Sequence, residues 1–478
     1  MKKVLVLGAS GYVGSQLLPL LLEQGYQVTA AARHIDYLEA RTPSHPNLTV
    51  TYLDLADKQK TKQIIPEFEL IFFLVHGMAH GHDFIEYELE LANNFADSLS
   101  ANNKHVIYLS SLQPPHGSSK HLEARKRTGE ILRASSVPVT ELRAGVIIGP
   151  GSAAFEIMRD FVYNLPIMIA PKWVESKANP IALDNLNYYL LCLAQENTEH
   201  SQIFEVGGPE TLSYREQFEH IATVAKQPLH LWATSLLTPA MASYWLGIVT
   251  SVPSSIGRAL LSGLSHDFIA ESQPIQQRFP QPLISYEKMV KQAIQAEGTF
   301  VKSNIWGFDS AAFKRWQPGF GYYPKHTGAS IETTLSQEAL WQVVKQIGSP
   351  SKGYFFANML WRTREWLDFF VGAGVPVRRS PESETLIVGD YIDSWKVIRC
   401  EQPHFLSLLF GMKGPGLGRL EFTMTDKGDV RELNVTAWWH PKGFSGLLYW
   451  FAMMPAHLFI FKGMVKAIVK EAQKQTNA

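Results

Sequence analysis

Three glycines, Gly8, Gly11 and Gly14, follow the apolar run Lys3-Val-Leu-Val-Leu7 at three-residue spacing and lead straight into the apolar stretch 15–23. That combination suits a phosphate. One glycine turns the chain sharply as it leaves a strand, a second lets backbone N–H groups approach an anion, and a third lets a helix close onto the strand. Ser10, Tyr12 and Val13 fill the same turn, whose helix end offers unpaired donors and a positive dipole to a pyrophosphate. Beyond the turn stands Arg33-His34, where an acid for a ribose 2′-hydroxyl would otherwise be expected about 20 residues on. A guanidinium suits a 2′-phosphate, so this position favours NADP and leaves NAD open.

Polar residues also close the later apolar runs. Asp54-Leu55 follows residues 48–53, Val75-His76 ends 70–75, and Ser110-Ser111 ends 106–109. The first two pairs are candidates for the adenine and ribose contacts. His121 and Arg125 are one helical turn apart and would face the same way. Imidazole titrates near neutrality, so His121 is a candidate proton donor. Ser110, Ser111, His121 and Arg125 form the candidate catalytic set. The stretch His76-Gly-Met-Ala-His80-Gly-His82-Asp83 carries zinc-type ligands, but its glycines and the lack of a second ligand cluster point to a loop over a cofactor, and no metal is expected.

Elements of two kinds must hold these residues. Strand-like runs at 27–32, 48–53, 70–75, 106–109 and 139–142 alternate with helical patterns at 83–100 and 122–134. That alternation specifies a doubly wound parallel α/β sheet. Lys plus Arg and Asp plus Glu are both 44, so no basic excess asks for nucleic acid. Cys192 and Cys400 have no metal or disulfide spacing, which suits a reducing, cytoplasmic setting, and no signal peptide is read at the start. Two charge-free stretches, 231–257 and 443–461, are long enough to span a bilayer, yet contain Pro239, Pro253, Pro455 and His457. They read better as buried or interfacial helices.

The glycine spacing, Asp54 and the paired serines resemble the short-chain dehydrogenase/reductase superfamily. Arg143-Ala-Gly-Val-Ile-Ile-Gly-Pro-Gly151, Asn179-Pro-Ile-Ala-Leu-Asp184 and Phe204-Glu-Val-Gly-Gly-Pro209 are similar to segments of its extended and atypical branches. The resemblance implies an NAD(P)-binding domain over 1–297, with a Rossmann core at about 1–150 and a small substrate lobe from 151–297. It also implies a catalytic tyrosine with a lysine four residues on. Here His121 and Arg125 stand in that segment instead, which puts ordinary carbonyl reduction in doubt.

From 298–478 the pattern changes. Helices at 336–347 and 356–370 precede strand-like runs at 385–388, 394–400, 405–412, 418–424 and 432–438, and a long helix near 446–473 closes the chain. Asp426-Lys-Gly-Asp429 is a hairpin turn. This α+β layout resembles the START-like, or Bet v 1-like, helix-grip fold, in which an apolar cavity lies between sheet and last helix. Seven tryptophans from Trp341 to Trp450 either line such a cavity or simply build a core. The whole layout resembles the YbjT-like bacterial proteins, an atypical reductase fused to a domain of unknown function. Three function classes stay open: an NADP-dependent oxidoreductase on a small hydrophobic substrate, a non-catalytic nucleotide-binding sensor or assembly protein, and a lipid carrier in peripheral contact with the inner face of the membrane.

Overall fold

The computed structural model describes residues 2–33, 35–39, 42, 44–76, 84–114, 119–237, 239–250, 252, 254–261, 266–304, 316, 319–349, 351–363, 386–392, 395–411 and 414–477. The chain divides into two compact units, Met1–Asn304 and Ile305–Ala478, each with its own core. The helix Tyr286–Asn304 belongs to the first unit, so the division lies a little beyond residue 297.

Seven parallel strands form the sheet of the first unit, in the order Gln202–Val206, Val139–Ala144, His105–Ser111, Leu70–Phe73, Lys3–Leu7, Gln27–Ala32 and Leu48–Tyr52. Alternate residues of the first strand feed opposite faces. Val4 and Val6 pack with Leu17, Leu18 and Leu21, whereas Leu5 and Leu7 pack with Phe73, Phe95 and Tyr108. A sheet covered on both faces explains why this strand reads as an unbroken apolar run. Strand order reverses between Lys3–Leu7 and Leu70–Phe73, and the crevice at such a reversal is where ligands bind in open α/β sheets.

A smaller lobe is built on the helix Ala153–Asn164, the parallel pair Ile167–Pro171 and His230–Thr234, and the helix Tyr214–Ala225. Ser213 and Glu216 close the start of that last helix with a reciprocal capping box. Under the lobe lies a fully buried ionic cluster. Arg159 Nη1 is 2.6 Å from Glu156 Oε2, its Nη2 is 2.7 Å from Glu297 Oε1, and Asp160 stands at 3.8 Å.

The second unit contains a six-stranded antiparallel sheet. Its order is Lys325–Thr333, Arg431–Pro441, Gly416–Asp426, Phe405–Phe410, Trp395–Glu401 and Tyr391–Ile392. The long helix Gly443–Asn477 lays Trp450, Phe461, Met464 and Ile468 onto Leu420, Phe422 and Val435 of that sheet. Ser336 caps the helix Gln337–Val344 through the Ala339 N–H, and Gly428 turns the hairpin at φ 84°.

Two details differ from expectation. The edge strand Lys325–Thr333 is absent from the sequence reading, because Gly328 and Ser330 weaken its β pattern and neither of its faces is fully buried. Residues 386–390 form a turn and not a strand: Gly389 sits at φ 104° and the Ile387 N–H donates to Asp390 Oδ2. The remainder of the helix expected at 356–370 lies outside the described residues past 363.

The Arg159 cluster makes stability depend on pH. Burial, set against the nearby Arg159, pushes the Glu297 carboxyl from 4.5 up to about 8. The folded state therefore holds a proton that the unfolded chain releases, so stability falls as pH rises through this window. Glu297→Gln is expected to flatten the decline by up to about 1.4 kcal/mol per pH unit, measured by denaturant melts at pH 5 to 9. An unchanged pH slope would show that Glu297 does not carry it.

Candidate functional site

The phosphate turn is set by backbone crowding. Gly8 has φ 77°, and a Cβ there would stand 2.8 Å from the Leu74 carbonyl oxygen. A Cβ on Gly14 would stand 2.5 Å from the Gly8 oxygen and 2.9 Å from Ala9 Cα. Only glycine allows the helix to start this close to the strand. That helix, Tyr12–Glu23, has Gly11 as its N-cap, with no side-chain cap and no acid in its first turn. Its end therefore keeps free donors and an uncompensated positive dipole, which is what a pyrophosphate needs. The residues present fit a dinucleotide.

A cleft of about 300 Å³ opens over this turn. Gly8, Gly11, Tyr12, Val13 and Gly14 line one side of it. His76, Ser110, Ser111, His121 and Arg125 also line it, so the structure gathers the entire candidate catalytic set in one place. Ser110 and Ser111 end the strand His105–Ser111, while His121 and Arg125 share a face of the helix Lys120–Arg133, capped by Ser119.

Arg125 is a buried cation held from three directions. Its Nη1 donates to the Val75 carbonyl at 3.3 Å, its Nε faces Glu88 Oε1 at 3.8 Å, and its own carbonyl accepts from Tyr108 Oη at 3.3 Å. Glu88 is only 2% exposed, and removing one member of such a pair costs about 3–5 kcal/mol because the other charge is left buried alone. That cation has a consequence for its neighbour. Burial and the Arg125 charge push His121 down to about 3, so the imidazole is neutral, and its Nδ1 has no partner among the described residues. The expectation of a histidine titrating near neutrality is thus corrected: His121 can donate or accept a hydrogen bond but does not carry an ionised proton to deliver.

The remaining cofactor candidates lie outside the cleft lining. Arg33 is exposed at the end of Gln27–Ala32, and its Nη1 donates to Tyr87 Oη at 3.2 Å. Burial and the charge of Asp54 raise the Tyr87 phenol. Arg33, Asp54 and Tyr87 thus form one polar group at the ends of the second and third strands. Tyr87 was missed by the sequence reading because nothing in a helical segment marks it. Asp54 Oδ1 accepts from the Ala56 N–H at 3.0 Å. Ser10 is half-buried in the turn. The Leu55 side chain belongs to the core, and its carbonyl accepts from the buried Asn94 Nδ2 at 3.0 Å. His34 and the cluster His80, His82 and Asp83 lie outside the described residues.

A second cavity, about 310 Å³, was not foreseen in the first unit. Ile157, Met158, Phe161, Met168, Trp173 and Phe218 line it, and hardly any polar surface does. Val146, Ala154, Tyr214 and Leu260 line both cavities, so chamber and cleft share a wall. Tyr214 is buried and its phenol is raised by that burial, so it stays protonated. In the second unit, by contrast, the cavity among Trp361, Trp395, Trp439 and Trp450 measures only about 30 Å³. That is room for about two or three water molecules. Among the described residues the tryptophans build a core, not a ligand chamber.

Residues 8–160 match the family model described as NAD(P)H-binding, and residues 326–464 match the one described as a protein of unknown function (DUF2867). A curated relative, 3-beta-hydroxysteroid dehydrogenase of Mycolicibacterium neoaurum, is 34% identical over 70 residues, covering 15% of this chain. The chain spans only 18% of that relative's length. Among solved structures, the Bordetella bronchiseptica enzyme WbmG in complex with NAD superposes with a TM-score of 0.50 at 13% identity, covering 64% of this chain and 96% of that one. WbmH of the same organism, in complex with NAD+, gives 0.49 at 14%, covering 64% and 100%. At such identities the likeness speaks to fold alone. The first unit thus carries an NAD(P)-binding Rossmann domain, and residues 326–464 are similar to the DUF2867 model.

Proposed function

We propose that this protein is an NADP-dependent oxidoreductase of atypical short-chain-reductase type, whose substrate is a hydrophobic molecule seated in the apolar chamber. The observation that carries the reading is the wall shared by chamber and cleft. A nicotinamide dinucleotide, when bound, supplies hydride. The chain's own residues do the rest. The glycine turn and helix end hold the pyrophosphate, and the exposed Arg33 guanidinium suits a 2′-phosphate. The chamber wall excludes water and seats the apolar body of the substrate. Neutral His121 and the Ser110 hydroxyl donate hydrogen bonds to a substrate oxygen, the fixed Arg125 charge favours negative charge growing there, and the resulting alkoxide takes its proton from solvent water at the open cleft.

One observation favours a second reading, a nucleotide-binding sensor without turnover: His121, which stands in the segment of the expected tyrosine–lysine pair, is neutral and does not serve as a titrating acid. For the second unit we propose a helix-grip arrangement, supported by the edge strand lying beside the last strand and by the long helix packed on the sheet. Its aromatic core argues that ligand is held elsewhere.

The first experiment is calorimetric titration of the full-length protein with NADPH and NADH. Arg33→Ala is expected to weaken NADPH about tenfold or more while NADH is unaffected. Equal loss for both nucleotides would remove the case for NADP.

The second is turnover of NADPH with a homologous series of ketones. Each added methylene is expected to lower KM about three- to fourfold until the chamber is full. Ile157→Trp, which fills the chamber from a position outside the cleft lining, should abolish the trend with NADPH affinity intact. No limb of the pH–rate profile should fall near 6.5, and a limb there that His121→Asn removes would reinstate His121 as the acid. Tight binding without turnover on any member would favour the sensor.

A further inference from the structure

The helix Gly443–Asn477 has two unlike sides. One is committed to the unit's core through Leu447, Trp450, Ile460, Phe461, Met464 and Ile468. The other carries Phe444 at 58%, Leu448 at 61%, Phe451 at 38%, Leu458 at 46% and Phe459 at 58% exposure. These five fall on one stripe at helical spacing, which runs about 22 Å along the axis. The same stripe continues into Lys462, Lys466 and Lys470, all exposed, and Lys442 stands exposed just before the helix. Between residues 443 and 470 there is no acidic residue, and Glu471 is held by Lys352 at 2.6 Å.

We infer that this stripe is a docking surface for an anionic lipid bilayer, with the helix lying in the plane of the interface. Length and hydropathy alone would let the helix span a membrane. Spanning, however, would strip Phe461, Met464 and Ile468 from the sheet they cover, so the helix can offer only its outer face. An apolar stripe of this extent is uncommon on a water-facing surface. Its charge selects the occupant. Lysines at both ends of an apolar face match anionic headgroups above and acyl chains below, with their aliphatic stems along the boundary. A second copy of the chain would bring lysines onto lysines in a parallel pair, or onto apolar residues in an antiparallel one. The stripe carries no carboxylate to meet them. This surface is independent of the cofactor cleft, so either proposal can fail alone.

The test is co-sedimentation of the full-length protein with vesicles of equal parts phosphatidylcholine and phosphatidylglycerol, and with phosphatidylcholine alone. Binding is expected to the anionic vesicles only and to weaken as salt rises. The double variant Lys462→Glu/Lys466→Glu should lower the partition about tenfold or more, and Leu448→Asp should lower it comparably. Near-UV dichroism of the tryptophans reports whether each variant keeps its fold, and Leu448→Ser serves if the aspartate does not. NADPH affinity should be unchanged in all of them. The inference is overturned if the wild type ignores anionic vesicles or if none of these substitutions alters binding. It is also overturned if the stripe mediates a concentration-dependent dimer that Leu448→Asp dissolves.

Discussion

The N-terminal unit depends on how closely one helix can start against one strand. With the Gly8 oxygen 2.5 Å from where a Gly14 Cβ would lie, any side chain would lever the helix Tyr12–Glu23 off Lys3–Leu7. Keeping it there aims the helix end into the crevice where strand order reverses, and the sheet does the remaining positioning. The strand His105–Ser111 delivers two serines, and the helix after it delivers His121 and Arg125 beside them. Catalytic candidates separated by about a hundred residues from the glycines meet because parallel strands end on the same edge.

Buried charge then decides what those candidates can do. Arg125 is kept ionised by Glu88 and the Val75 carbonyl, and a fixed cation beside a desolvated imidazole leaves that imidazole neutral. The two residues cannot both be cations in so dry a place. Under the proposed function, histidine and arginine at this spacing would polarise a substrate oxygen by hydrogen bond and charge rather than deliver a proton to it. The Arg159 cluster follows the opposite rule: three carboxylates share one guanidinium, so a proton must stay on the carboxylates.

Much of this was legible in the residues because it rests on local rules. The glycine turn, the strand alternation, the Ser336 cap and the 426–429 hairpin each follow from a few neighbouring side chains, and each is where the pattern put it. Hidden features depend on contacts far apart in the chain. The strand Lys325–Thr333 exists because Arg431–Pro441 offers it an edge, not because its own residues favour extension. The apolar chamber needs Phe161, Met168 and Phe218 from three elements, none of which shows alone that it faces a void rather than a core. The histidine's neutrality is equally non-local, being set first by burial and then by a cation whose own partner, Glu88, comes from a different helix.

The distribution of apolar volume separates the two units. Tryptophan density left open whether the C-terminal unit encloses a cavity or a core, and stacked and edge-on pairs such as Tyr354–Trp361 and Trp395–Phe410 fill its interior. Large flat rings need not enclose space; they close it when enough of them meet at 4–6 Å. The N-terminal lobe, whose chamber has fewer rings and more Met, Ile and Ala in its lining, is where a void persists. With its interior full, the C-terminal unit presents its remaining apolar groups outward along a lysine-tipped helix. An already folded, one-sided amphipathic surface adsorbs without paying the folding entropy that a disordered segment would.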